Sequence, residues 1–312
     1  MKRGKVLITD DVHPLMLEGL EAAGYECDYQ PDISLEEVRN IAANYVGMII
    51  NSKIKADRAM LESTHQLQFI GRLGSGLDII DLVVAASKGV TVLSVPEANC
   101  NAVGEHALGM LLSLANNLNR ADREVRQRIW RREANRGFEL EGKNIGIIGF
   151  GHTGSAFAEK LQGFHVNVYA YDKYKSGFSK TYPHVKEVIL EELLSVSDII
   201  SFHVQLTEET FHYFDESFME SCKKGVIIIN TSRGKAVDTE VLVRGLREEI
   251  IGGACLDVFE NEKPDTFSEN EKRIYGELYS MDNVILSPHI AGWTVESKEK
   301  IASYLLKKVL SI

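Results

Sequence analysis

Cysteine, proline and tryptophan are scarce in this chain of 312 residues, at four, six and two copies. Cys27, Cys100, Cys222 and Cys255 lie far apart, with no C-x-x-C or His-rich spacing. That argues against a disulfide framework and a zinc site, so no metal is expected and the thiols read as reduced and mostly buried. No run of about 18 uncharged apolar residues occurs, which removes the signal for a membrane-spanning helix. The opening MKRGKVLITDD has too short an apolar run for a signal peptide, so the expected location is cytoplasmic. Positive charge is also in deficit. With 35 Lys and Arg against 45 Asp and Glu, the net charge of -10 would repel a phosphate backbone, and no nucleic-acid partner is expected.

What remains is the balance of an ordinary globular protein, 44% hydrophobic and 26% charged, at a length that favours two domains. Strand-like runs at Lys5 to Thr9, Tyr25 to Tyr29, Val46 to Asn51, Gln68 to Ile70 and Val90 to Leu93 alternate with helical patterns such as Pro14 to Ala23 and Leu35 to Ala43. This alternation is the signature of a parallel sheet with crossover helices. A second series starts at Asn144 and runs through NIGIIGFG, HVNVYAYD, SDIISFHV, GVIIINTS, GGACLDVF and NVILSPHI. Ala102 to Leu118 reads as a sheltered connecting helix between the two series, and Val295 to Leu310 as a second connector that returns the chain to the first unit. Arg120 to Arg136 holds seven arginines around Trp130. A solvated charged helix and an arm crossing to a second subunit both fit that composition.

Gly149, Gly151 and Gly154 form a G-x-G-x-x-G pattern between a strand and a helix. In that context glycines let backbone N–H groups approach a pyrophosphate, and the helix N-terminus attracts its charge. A second strand ends at Asp172, 18 residues past Gly154, near the expected place for a carboxylate on an adenosine ribose. A carboxylate there accepts from a 2′-hydroxyl and repels a 2′-phosphate, which favours NAD over NADP. Lys173 and Lys175 follow and could soften that choice, and a helix or turn cap is the alternative reading of Asp172.

Val226 to Ile229 are four β-branched residues in a row, the pattern of a strand buried on both faces. Arg233 sits four residues on, and a guanidinium is costly to bury unpaired, so either it reaches water or an anion comes to it. The Asp257 to Glu262 stretch and His289 also fall at strand ends, where ligands bind in open α/β sheets. With GRLGSGLDIID, NCNAVGEHALGMLL, GIIGFGHTG, INTSRGKAVD, CLDVFENEKP and LSPHIAGWT, the chain resembles the D-isomer-specific 2-hydroxyacid dehydrogenases over nearly its whole length.

The resemblance implies three catalytic residues. His289 would take the hydroxyl proton as hydride leaves C2, Glu262 would stabilise the imidazolium, and Arg233 would hold the substrate carboxylate. A core histidine, a surface acid, and an ion pair with Asp238 or Asp257 are the respective alternatives. It also implies cofactor contacts from Ser75, His152, Thr153, Thr231, Ser232, Asp257 and Gly292, with Asp257 at the nicotinamide end or else a turn carboxylate. Ser75 and Gly76 would offer backbone donors to the substrate, and Asn99 a polar wall. Ile79, Gln205 and Lys263 depart from the family pattern, the last separating Glu262 from Pro264.

The implied fold is α/β, with two doubly wound parallel-sheet domains: a Rossmann NAD-binding domain at residues 99–288, inserted into a flavodoxin-like substrate domain at 1–98 and 289–312, with the active site in the cleft between them. The nearest resemblance is to phosphoglycerate dehydrogenases without a regulatory domain, because the chain stops soon after the second connector. A homodimer acting on 3-phosphoglycerate and 3-phosphohydroxypyruvate is then expected. Lys53 and Arg72, which follow short strands, are candidates for the phosphate. A glyoxylate or hydroxypyruvate reductase is the runner-up, and a non-catalytic NAD-sensing binding protein the rival from another class.

Overall fold

The computed structural model describes residues 3–312. Two compact units divide the chain: Met1–Cys100 with Trp293–Ile312, and Asn101–Gly292. His289 and Gly292 therefore belong to the second unit.

In the first unit, β1 (Gly4–Ile8), β2 (Tyr25–Tyr29), β3 (Gly47–Ile50), β4 (Phe69–Arg72) and β5 (Thr91–Leu93) pair in parallel in the order β2-β1-β3-β4-β5. The order reverses between β1 and β3, as in flavodoxin-like sheets. In the second unit, β6 (Asn144–Ile148), β7 (Asn167–Tyr171), β8 (Val185–Glu187), β9 (Ile199–Phe202), β10 (Val226–Asn230), β11 (Ile251–Leu256) and β12 (Val284–Leu286) run β12-β11-β10-β9-β6-β7-β8. Read from β8 to β11 this is the six-stranded dinucleotide-binding order, with β12 added at one edge. The chain is thus an α/β protein of two parallel-sheet units.

β10 shows why the apolar run is continuous. All five of its residues are buried. Ile227 and Ile229 share a core layer with Ala107, Leu111 and Leu114 of the helix Pro96–Ala115, while Val226 and Ile228 share the opposite layer with Leu242 and Leu246 of the helix Thr239–Arg247. Each such side chain contributes about 1.5–3 kcal/mol on burial, so both faces of the strand resist polar substitution. In the first unit β3 does the same, with Ile49 beside Leu305 and Val309 of the helix Val295–Leu310, and Met48 and Ile50 in the other layer.

Two boundaries differ from the sequence reading. The connecting helix opens at Pro96 rather than Ala102, because proline's preset φ suits a first turn that has no use for its missing N–H. It ends at Ala115, and Asn117, at φ 51 and ψ 32, breaks the path before a separate helix, Leu118–Arg126. The arginine segment is therefore one short helix followed by irregular chain with a single 3-10 turn at Glu133–Asn135, pinned by buried Glu124, which accepts from Arg131 and Asn135. Trp130 stands 78% exposed beyond it. Among the described residues no helix is long and apolar enough to cross a membrane.

Candidate active site

After β6 the chain turns through Gly149, Phe150 and Gly151 into the helix His152–Leu161. Gly149 has φ +88, and a Cβ there would stand 2.4 Å from the His203 carbonyl oxygen, so only glycine fits. Gly154 lies against the Gly149 carbonyl, where a Cβ would stand 2.1 Å away. Gly151 is different, because its Cβ would meet nothing within 4 Å. It is also the N-cap of a helix whose first turn receives no side-chain cap, so no side chain satisfies the N–H groups of the turn that carries His152 and Thr153. Phe150 anchors the turn by stacking on Phe178 at 4.3 Å.

His203 underlies this loop. Its Nε2 pairs with Ser201 Oγ at 2.8 Å, and its Nδ1 is buried with no partner. Burial pushes its pKa down to about 3, so the imidazole stays neutral.

Asp172 follows β7 and is half-buried. Its Oδ2 accepts from Phe150 N at 2.8 Å, and Oδ1 from the backbone N–H groups of Tyr174 and Lys175 at 2.9 and 3.0 Å. The carboxylate thus ties the glycine loop to its own turn, with lone pairs left for a further donor. Thr231, at the end of β10, has a buried Oγ1 without a partner, whereas Ser232 Oγ is spent on Asn230 at 2.8 Å. The open space over Gly151, the uncapped helix start and the unpartnered Thr231 hydroxyl fit a dinucleotide. Asp172, Thr231, His152 and Thr153 are the residues that would hold it.

β10, β11 and β12 are neighbours, and being parallel they end on one side of the sheet. Their three following loops carry Arg233, Glu262 and His289. Fully buried Asn230 shapes the first by accepting from Ser232 N and donating to the Arg233 carbonyl at 2.9 Å. Half-buried Arg233 donates from Nη1 to the Ser232 carbonyl at 2.8 Å. The next residue presses on the second loop, since a Cβ on Gly234 would stand 1.9 Å from the Phe259 carbonyl oxygen.

Glu262 Oε2 lies 3.0 Å from His289 Nδ1, with both side chains close to half exposed. The extra Lys263 leaves that pair assembled, because Asn261 holds the loop: its Oδ1 accepts from Lys263 N, its Nδ2 donates to Glu271, and its backbone N–H donates to Tyr275 Oη. His289 itself sits at φ 57. Its N–H donates to the Asp257 carbonyl at 2.7 Å.

The Asp257 side chain is fully buried and faces the same turn. Oδ1 accepts from Ser287 Oγ at 2.6 Å and Ile290 N at 2.9 Å, and Oδ2 from Ala291 N at 2.8 Å. Burial pushes this carboxyl up, but hydrogen bonds from His106, Ser287, Ile290 and Ala291 outweigh it and hold the pKa below the ordinary carboxylate value. In the structure Asp257 is therefore the latch of the histidine turn. Gly292, half-buried, follows Ala291 in that turn.

Sequence reasoning did not single out His106, whose Nε2 reaches Ser287 Oγ at 2.9 Å across 181 residues. Nor did it find His212, which donates its backbone N–H to Lys235 and brings Nε2 to 2.7 Å from Glu260 Oε2 and Nδ1 to 3.4 Å from Asp238. Glu260 also caps Thr239 N. His212 thus clasps the Arg233 and Glu262 loops from a third loop. Nothing local in the sequence marks such pairings.

The remaining candidates lie in the first unit. Arg72 ends β4 and lies over the Gly74 turn, where a Cβ would stand 2.3 Å from its Nη1, and it donates to Asn51 Oδ1 at 2.8 Å and Ser52 Oγ at 3.2 Å. Ser75 is half-buried and Gly76 buried in the same turn. Asn99, on the helix Pro96–Ala115, has a buried Oδ1 without a partner. Lys53 is exposed and donates to the Pro31 carbonyl.

Comparison with known proteins gives this geometry a family. Residues 108–291 match the D-isomer specific 2-hydroxyacid dehydrogenase, NAD binding domain. The chain is similar to a hydroxypyruvate reductase of Thermotoga maritima, 36% identical over 88% of this chain and 87% of that one. It is 31% identical to a D-3-phosphoglycerate dehydrogenase of Archaeoglobus fulgidus over 99% of its own length, but spans only 57% of that relative. Among solved structures, a D-lactate dehydrogenase of Aquifex aeolicus complexed with NAD and lactic acid superposes with a TM-score of 0.86 at 30% identity, covering 98% and 94% of the two chains. The chain belongs to the D-isomer specific 2-hydroxyacid dehydrogenase family, and its second unit is that family's NAD-binding domain.

Proposed function

We propose that the protein is an NAD-dependent oxidoreductase interconverting a D-2-hydroxy acid and its 2-oxo acid, with 3-phosphoglycerate and 3-phosphohydroxypyruvate as the substrate pair. The observation that carries the chemistry is the 3.0 Å contact between His289 and Glu262, on a loop neighbouring that of Arg233. When bound, the dinucleotide accepts or returns the hydride at C2. His289 Nε2 takes the hydroxyl proton during oxidation and gives it back to the carbonyl oxygen during reduction. Glu262, on Nδ1, fixes the ring orientation and stabilises the imidazolium. Arg233 binds the carboxylate through a charge-assisted fork.

The phosphate assignment rests on Arg72, whose guanidinium lies over the turn that carries Ser75 and Gly76. Lys53, turned onto a backbone carbonyl, supports it less. Hydroxypyruvate is the second reading, favoured by the relative matched over 87% of its length. The protein is further proposed to act as a cytoplasmic homodimer, for which exposed Trp130 on the arginine-rich segment is a suitable contact. The test is a panel of 2-oxo acids with NADH. A preference for 3-phosphohydroxypyruvate that Arg72→Ala abolishes supports the phosphate reading; equal efficiency on hydroxypyruvate hands the role to the reductase, and no turnover of any 2-oxo acid leaves the binding-protein rival.

A further inference from the structure

The turn after β7 carries more charge chemistry than Asp172 alone. Asp172 Oδ1 accepts the N–H groups of Tyr174 and Lys175, closing a turn from which Lys173 projects. Lys173 Nζ lies 2.8 Å from Glu209 Oε1, and Tyr174 Oη donates to the other oxygen of the same carboxylate. Glu209 arrives from the loop after β9, where Thr210 Oγ1 accepts from Thr207 N at 2.8 Å and donates to the Gln205 carbonyl at 2.5 Å. One exposed glutamate, held in a bonded loop, therefore engages two consecutive side chains beside the proposed ribose carboxylate. The hydrogen bonds from Lys173 and then Tyr174 hold Glu209 below its ordinary value, so it is ionised at neutral pH.

A carboxylate repels a 2′-phosphate only as far as neighbouring cations fail to offset it. Lys173, next in sequence to Asp172, is placed to offset it. We propose that Glu209 is a specificity-determining residue for the dinucleotide: by occupying Lys173 and Tyr174 it withholds the cation that a 2′-phosphate would need, and so enforces NAD over NADP. This rests on reading the glycine loop and Asp172 as the dinucleotide site.

The pair is exposed, so its effect is modest. Relieving it should change discrimination by about threefold to tenfold. The probes are ADP-ribose and 2′-phospho-ADP-ribose, titrated calorimetrically into the full chain, since neither carries nicotinamide and no turnover is involved. Wild type should bind ADP-ribose more tightly. Glu209→Gln should tighten 2′-phospho-ADP-ribose by about threefold to tenfold while leaving ADP-ribose unchanged, and Lys173→Ala added to Glu209→Gln should remove the gain. An unchanged ratio in Glu209→Gln overturns the proposal, as does a gain that survives the loss of Lys173. Wild type that binds neither fragment overturns the dinucleotide reading itself, and the proposal with it.

Discussion

Asp257→Asn is the sharpest perturbation of the site, because the substitution keeps shape and changes only charge and one acceptor. The carboxylate is fully buried and accepts from Ser287, Ile290 and Ala291 through both oxygens. An amide offers one acceptor oxygen and one donor nitrogen, so in either orientation at least one N–H of the turn faces another N–H. Losing one charge-assisted bond costs about 1.5–3 kcal/mol, and the stranded buried donor about 1–3 more. A loss of about 3–5 kcal/mol is expected, within the usual 5–15 kcal/mol of a folded domain, so the variant should fold. The folded-state pKa of Asp257 is depressed, so its contribution is present above the unfolded carboxyl value near 3.9 and is lost as pH falls through the lower folded value. Urea titrations followed by circular dichroism should therefore show the full gap between wild type and variant at neutral pH, and a gap that begins to narrow as pH falls through about 4. Because the same turn sets His289 at φ 57, kcat should also fall, by about a hundredfold for an ångström of displacement. A variant as stable as wild type at neutral pH, with unchanged kcat, would refute the latch.

Three further outcomes follow from the geometry. Gly234→Ala places a methyl group 1.9 Å from the Phe259 carbonyl oxygen and must part the Arg233 and Glu262 loops; thermal unfolding should drop by about 1–3 kcal/mol and kcat should fall, with ADP-ribose affinity intact. Gly149→Ala, at φ +88 and 2.4 Å from the His203 carbonyl, should abolish ADP-ribose binding by calorimetry, and retained affinity would remove the loop from the cofactor site. His289→Ala should lower kcat by roughly 10²–10⁴ with the fragment's affinity unchanged, and near-wild-type turnover would exclude it as the proton acceptor.

Sequence carried the architecture far because both sheets announce themselves in buried runs, as in β10, and because glycines that admit no side chain sit in a recognisable spacing. Arg233, Glu262 and His289 could be set at strand ends by counting, and the structure puts Glu262 against His289. What could not be read was how the loops are held. Asp257 and His289 looked like independent ligand contacts, whereas backbone and side-chain bonds make one the support of the other. His106, His212 and Glu260 find their partners across distant loops, which no periodicity encodes. The connecting helix starts at Pro96, ahead of the apolar pattern that marks it from Ala102, because a proline suits a first turn without adding to that pattern.

β12, the strand that delivers His289, is the outermost of its sheet and only three residues long. It pairs on one side only, with β11, while β10 pairs on both. Opening events in proteins are local before they are global, and short edge strands open at the least cost. The proton-handling residue thus hangs from one of the least protected elements of the unit. On warming, amide hydrogens of β12 should exchange well before those of β10, and activity should fade while the nucleotide fold still stands.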